Sequence, residues 1–329
     1  MRIAILLFSV LFAFPCLAQI AEVETGTGPL KYGEARVSRF QAGCEVTASQ
    51  GACRNIRVMV AVPLECAEQQ VTVVEEDFSR EVTKVDYRVL DGHSDGGARQ
   101  MLVIIPQLAA GATARAVVTF EVRTRPILPA EGTARLQLVV PDKPDRDLRQ
   151  YLTASPYIEA RDKRIRTAAL DVWKSFDESS EATPAWTRIE ALYDHMLDHV
   201  KYVEGSEDKS ALNTFRDGTA DCHGRSALFV AMCRACDVPA RIVWVNNHCF
   251  AEFYLQDADG VGYWFPAESA GTRAFGEMPL TRPILQKGDN FKVPERPRDR
   301  LRYASDYMVG LPLPGSGQPK VRFIRELID

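Results

Sequence analysis

Between residues 35 and 140 the apolar positions come in short runs with a two-residue alternation, the period of strands that bury one face. The runs at 56–62, 71–74, 82–89, 101–105, 114–124 and 133–140 are rich in β-branched residues. In the first of them Ile56, Val58 and Val60 would share one face, and Arg57, Met59 and Ala61 the other. Turn formers separate the runs, as in Asp91-Gly92-His93-Ser94-Asp95-Gly96-Gly97 and Pro129-Ala130-Glu131-Gly132. No helix-length apolar stripe interrupts them, which predicts an all-β sandwich over residues 25–141. Pro141-Asp142-Lys143-Pro144-Asp145 reads as a linker into a second domain, residues 142–329.

There the period changes. A helix is plausible near 165–173, and a stronger one runs over 187–202, where Ile189, Leu192, Tyr193, Met196 and Val200 recur at three- and four-residue steps on one face. After the turn-rich Arg216-Asp217-Gly218-Thr219-Ala220-Asp221 comes Cys222-His223-Gly224-Arg225. A helix over 226–236 follows, apolar in succession from Ala227 to Met232 and therefore buried nearly all round. Asp237-Val238-Pro239 ends it. Strands are predicted over 240–245, 248–255 and 262–265, the last two joined by the turn Asp257-Ala258-Asp259-Gly260. One buried helix with an antiparallel meander is an α+β arrangement. Further on, residues 286–291 read as a polar loop that could line a cleft. The basic run 294–302 reads as a solvated or salt-bridged surface, and 321–324 as a last strand returning to an existing sheet.

The start of the chain sets an expectation about compartment. Arg2, an apolar stretch over 3–14, the breaker Pro15 and the small residues near Ala18 form a secretory signal over residues 1–18. That places the protein in the periplasm or outside the cell. The 40 basic and 44 acidic residues are well mixed, which gives no electrostatic footprint for nucleic acid and no polybasic membrane patch. No later segment is suited to membrane insertion. Of eight cysteines, Cys16 leaves with the signal and an odd number remains, so at least one thiol is free or bonded between molecules. Cys44, Cys53 and Cys66 read as staples or packing of the sandwich, with their pairing open.

Candidate chemistry gathers around Cys222. At the N-terminus of a buried helix, unpaired backbone N–H groups and the helix dipole stabilise a thiolate and offer part of an oxyanion hole. Gly224 leaves room beside the thiol for a substrate backbone. Cys233 and Cys236 lie deeper in the helix. His248 opens a strand two elements later, the geometry in which imidazole takes a thiol proton. Glu268, after Trp264-Phe265-Pro266-Ala267, is the candidate that orients the ring; Asp257 and Asp259 sit in an exposed turn. His195 and His199 stand four apart, but His195-Met196-Leu197-Asp198-His199 lacks the glutamate of the zinc-protease signature.

The segment Gly218-Thr219-Ala220-Asp221-Cys222, the stretch from Ala231 to Pro239-Ala240-Arg241, and His248-Cys249-Phe250-Ala251-Glu252-Phe253-Tyr254 together resemble the core of the transglutaminase-like superfamily across residues 187–270. Tyr151-Leu152-Thr153-Ala154-Ser155-Pro156-Tyr157-Ile158 looks like the segment preceding this domain in bacterial members with an N-terminal β-domain. The sequence departs from the family pattern at Asp237, where glycine is usual, and at Glu268, where aspartate is usual. The resemblance implies a papain-like cysteine-enzyme domain with a catalytic triad of Cys222, His248 and Glu268. It implies thiol-dependent acyl transfer on peptide or protein amides, with hydrolysis by a peptidase or amidase preferred over amine cross-linking. No metal and no cofactor are expected, and no Asp-rich loop of the calcium-binding pattern is present. The rival expectation is a non-catalytic exported module that binds peptide or an envelope protein partner, its Cys222 locked to Cys233, Cys236 or Cys249.

Overall fold

The computed structural model describes residues 28–92, 95–130, 132–177 and 182–328; the expected signal at 1–18 lies outside them. Six long strands come first: β1 (Arg36–Thr47), β2 (Cys53–Val62), β3 (Gln69–Phe78), β4 (Lys84–Leu90), β5 (Gly97–Leu108) and β6 (Thr113–Thr124). In β1 the inward positions Phe40, Ala42, Cys44 and Val46 are buried, so the strand alternates with small residues in place of a β-branched run. The inner faces of β1, β2, β5 and β6 close over one apolar core containing Ile56, Val58, Val60, Met101, Val103 and Phe120. This is the two-sheet sandwich expected from the alternation. The strand expected at 133–140 is absent: Ala134–Gln137 forms a short 3-10 helix. Gly132, at φ 73°, turns the chain just ahead of it. Of residues 132–140 only Leu138 is buried, so no alternating face is available to lie on a sheet.

Asp145 then caps a one-turn helix, α1 (Arg146–Arg149), accepting from Leu148 N at 2.8 Å. Next come α2 (Lys163–Lys174), α3 (Ala185–His199), a short β7 (Lys201–Tyr202), α4 (Ala211–Asp217), a short β8 (Thr219–Ala220) and α5 (Cys222–Ala235). Helix α3 buries Trp186, Ile189, Leu192, Tyr193 and Met196, the stripe predicted from its spacing. Every residue of α5 from Gly224 to Arg234 is buried, as the unbroken apolar run requires. Asp237 takes the left-handed conformation, φ 60°, just past the helix, and Val238 N donates to Cys233 O at 3.0 Å. A short acidic side chain thus fills the usual glycine position at a helix end.

The meander β9 (Ala240–Val245), β10 (His248–Gln256) and β11 (Gly262–Glu268) packs against α5, with β12 (Ala274–Phe275) at its edge. Strand β13 (Ile284–Lys287) pairs with β9 on one side and β5 on the other, so one sheet runs from the helical half into the sandwich. The hairpin β14 (Phe291–Val293) and β15 (Arg296–Leu301) precedes β16 (Tyr307–Pro312) and β17 (Lys320–Leu327). Strand β16 pairs with β2, and β17 with β1, the return to an existing sheet expected of the last strand. Among the described residues no helix is long and apolar enough to cross a membrane.

Residues 286–291 do not form the expected polar loop at a cleft: Gln286 and Lys287 belong to β13, and none of the six lines the cleft that holds Cys222. Gln286, Lys287 and Asp289 are each at most 1% exposed, because distant partners satisfy them. Gln286 exchanges hydrogen bonds with the backbone of Ala304 at 3.0 and 2.8 Å. Asp289 holds Arg234 through both oxygens at 2.9 and 2.7 Å. Lys287 Nζ lies 2.7 Å from Glu68, ahead of β3, and 3.1 Å from Glu252 on β10; Arg241 meets the other oxygen of Glu252 at 2.7 Å. This buried ionic group ties the two halves together. Removing one partner strands charge in a dry interior. Lys287→Met should therefore lower the unfolding free energy by about 3–5 kcal/mol, read from the urea midpoint. A loss below about 1 kcal/mol, the size of an ordinary substitution, would show that the network does not hold the halves.

Candidate active site

Local chemistry fixes where Cys222 sits. Gly218, at φ 64°, ends α4 with the sharp turn that glycine tolerates. Asp221 is then extended and caps α5, its Oδ1 accepting from His223 N at 3.0 Å and Gly224 N at 3.2 Å. Those two amides are consumed by the cap and are not open to a substrate, so the helix N-terminus offers less of an oxyanion hole than its sequence implied. The amide of Cys222, first in the helix, stands outside these capping bonds. Gly224 also has another reason. A Cβ there would meet Thr214 Oγ1 at 2.4 Å and Ala220 Cβ at 2.6 Å, so this glycine lets the helix press against the preceding loop and does not make room for substrate.

Buried polar side chains lock the head of the helix in place. Arg225 donates to the carbonyls of Ser269 and Val200, each at 2.8 Å, and of Leu197 at 3.2 Å. Ser226 Oγ and Ser269 Oγ are 2.6 Å apart, and Ser269 Oγ donates to Cys222 O at 3.3 Å. The first turn of α5 is thereby fixed to the end of β11.

His248 is positioned by a two-residue hairpin turn, Asn246-Asn247, between the paired residues Val245 and His248. Asn247 has φ 55°, the left-handed conformation such turns demand and asparagine accepts. Glu268 ends β11 beside it. Both carboxylate oxygens lie 3.0 Å from His248 Nε2, and Ala270 N donates to Oε1 at 2.8 Å. The glutamate reaches the ring with both oxygens, and its side chain is almost wholly buried. With Nε2 engaged, Nδ1 is the ring nitrogen left for the hydrogen bond to Cys222. The structure thus brings together the three residues singled out in the sequence.

Electrostatics prepare the sulfur. The Cys222 thiol is pushed down to about 4, first by a hydrogen bond from Cys249, against the opposing effect of burial, then by the bond to His248 and the nearby rings of His223 and His248. His248 is moved up to about 9: burial works against its charge, but the bonds to Cys222 and Glu268 outweigh it. Cys249 keeps its proton, because burial and then the adjacent Cys222 sulfur push its thiol well up. The pair rests as thiolate and imidazolium. Nothing in the sequence singles out Cys249 as the donor; its place next to His248 on the strand is the only hint.

Other candidates separate from this site. The rings of His195 and His199 stack 6.1 Å apart, and His199 Nε2 is 2.7 Å from Phe215 O. Asp257 shapes its own turn, accepting from Asp259 N and Val261 N, at the opposite end of the β10–β11 hairpin from His248. Cys233 is buried in the helix and Cys236 at its C-terminal cap, with thiols pushed up by burial, that of Cys236 to about 12. All seven described cysteines are free, so Cys44 and Cys53 pack the sandwich without stapling it, and Cys222 is not locked.

Cys222, His248 and Glu268 line an open cleft of about 1360 Å³. Its walls include Tyr157, Tyr202, Trp244 and Leu280, and the segment Arg300, Leu301, Arg302 and Tyr303 from the end of the basic run. The run therefore contributes a wall beside its solvated face.

The sequence profile of the Transglutaminase-like superfamily matches residues 175–269, which include all three residues. A crystal structure of a proposed cysteine protease from Cytophaga hutchinsonii superposes with a TM-score of 0.54 at 16% identity, covering 91% of this chain and 93% of that one. That of a proposed protease from Parabacteroides distasonis gives 0.27 at 9% identity, over 74% and 68%. No curated protein matches the chain. The fold is therefore transglutaminase-like and cysteine-protease-like, with the makeup of such a catalytic site.

If Cys222 is the acidified thiol, iodoacetamide should label native protein at one site with half-maximal rate near pH 4, as the thiol deprotonates. Peptide mapping should place the label on Cys222, and Cys222→Ala should abolish it. Equal labelling of both proteins at pH 6 would remove the assignment.

Proposed function

We propose that this protein is a thiol-dependent hydrolase of peptide amides, a peptidase or amidase, with Cys222 as nucleophile, His248 as proton carrier and Glu268 as the residue that orients it. The observation that carries the reading is one imidazole held between an acidified sulfur and a buried carboxylate at an open cleft. The Cys222 thiolate attacks the amide carbonyl carbon, and the developing oxyanion lies near the Cys222 amide. The carbonyl re-forms as the C–N bond breaks, and the His248 imidazolium protonates the departing amine. A thioester remains. His248, now neutral, takes a proton from water; the resulting hydroxide attacks the thioester and releases the carboxylic acid and the thiolate.

Water is the preferred acceptor because the cleft is open and nothing in its lining specifies an amine pocket. We place the enzyme in the periplasm or outside the cell on the strength of its leader, and take peptides or cell-wall peptides as substrates. The rival, a non-catalytic binding module, draws on glutamate where aspartate is usual and on cysteines that could lock Cys222; both oxygens of Glu268 reach His248, and Cys222 is free.

Below about pH 4 the thiolate is protonated, and above about pH 9 His248 has no proton for the leaving amine. The pH profile of kcat/KM on a fluorogenic peptide library should be a bell with limbs near those values, which belong to the coupled pair. Cys222→Ala should eliminate turnover. His248→Ala should cost about a hundred- to ten-thousand-fold in kcat, the range for a positioned acid–base group. Undiminished turnover by Cys222→Ala would end the proposal.

A further inference from the structure

The hydrolytic scheme gives His223 no step of its own, only an electrostatic part beside the nucleophile. Cys222, His223 and Cys249 each bring one ligand atom into a group whose members all lie within 4.8 Å of one another. Around a tetrahedral zinc ion, sulfur and nitrogen ligands stand about 3.3–3.8 Å apart, as bonds of about 2.3 and 2.0–2.1 Å require. A small contraction brings the three to that spacing.

A second feature is independent of the sulfurs. His223 Nδ1 is 2.9 Å from Asp208 Oδ1, and the other oxygen of Asp208 is held by Arg302. A carboxylate that accepts a hydrogen bond from Nδ1 is the outer support that histidine ligands of metals carry, and it leaves Nε2 as the ligand atom. Exposure completes the arrangement. Cys249 is fully buried, whereas Cys222 and His223 line the cleft, so three protein ligands would sit on one side and water on the other. His248 stays with Glu268 and is not needed.

We infer that Cys222, His223 and Cys249 form a binding site for one soft divalent cation of the zinc class, with water from the cleft as fourth ligand. The ion joins the Cys222 sulfur, a ring nitrogen of His223 and the Cys249 sulfur, whose proton passes to solvent; no electron is transferred. Occupancy draws the thiolate's charge into the metal–sulfur bond and blocks its approach to a carbonyl, so the site is inhibitory. That consequence rests on the proposed hydrolysis; the binding does not.

The test is a titration of the reduced, metal-free full chain with Co²⁺, followed by displacement with Zn²⁺. One equivalent of Co²⁺ should give thiolate-to-cobalt charge-transfer absorption in the near ultraviolet and the visible bands of a tetrahedral ion, both erased by Zn²⁺. Cys249→Ala should cut the charge-transfer intensity to about half, and His223→Asn should weaken binding at least tenfold. Wild-type protein without the charge-transfer band overturns the site. An unchanged affinity and spectrum in Cys249→Ala also overturns it, since the ion would then sit on other ligands. A stoichiometric tetrahedral cobalt spectrum in a protein that hydrolyses no peptide upholds the site while the hydrolase reading fails.

Discussion

The site depends on holding charge where burial opposes it. The Cys222 sulfur is partly withdrawn from water yet remains a thiolate, because Cys249 and His248 donate to it and His223 lies beside it. The two donors are effective only while the first turn of α5 stays in register with β10 and β11. That register is kept by Arg225 reaching three carbonyls, by the Ser226–Ser269 contact and by the Asp221 cap. The cap has a cost for function. It orders the helix by occupying two of the donors that would face an acyl oxygen, and so leaves the amide of Cys222 as the nearest backbone donor. Precise placement of the sulfur has been favoured over a generous anion hole.

The sandwich takes part in this placement. Through β13 its sheet is continuous with β9, the strand whose hairpin turn presents His248. The buried contact of Lys287 with Glu68 and Glu252 crosses the same seam, and Glu252 lies on the strand that His248 opens. The last wall of the cleft arises the same way. Arg302 and Tyr303 precede β16, which is anchored on β2, so a strand of the sandwich determines where that wall stands. A loosened seam would move both the imidazole and the wall opposite it, even though no residue of β1–β6 lines the cleft.

Much of the framework was legible in the sequence. Period-two alternation found most of the sandwich, three- and four-residue spacing found α3, and the apolar run after Cys222 marked a helix buried on every side. The relation of Cys222, His248 and Glu268 was legible mainly through family resemblance, since spacing alone does not say which strand faces which helix end. What escaped is instructive. Gln286, Lys287 and Asp289 read as a polar loop at a cleft because polar residues are usually solvated, and their partners are remote in sequence or, like Ala304, offer only backbone. Strand β1 was faint because Ala42 and Cys44 fill its inner face, and residues 133–140 carried β-branched residues of which Val139 alone makes a bridge, to Gln256 at the end of β10. Cys249 and Asp208 escaped for a common reason: a hydrogen bond between side chains on separate elements leaves no period in the sequence.

Cys249 also shows why sulfur at this position matters. A donor that acidifies a neighbouring thiolate must keep its own proton, and complete burial ensures that for a thiol. A serine hydroxyl in the same place would donate as well and would keep its proton more firmly. It would not, however, ligate a soft cation, and it could not make the head of α5 a two-sulfur site. On the proposed reading, the sulfur that acidifies Cys222 is therefore the same atom that would open it to capture by a metal ion. Replacing Cys249 by serine would separate the two effects, keeping a donor to Cys222 while removing the second sulfur.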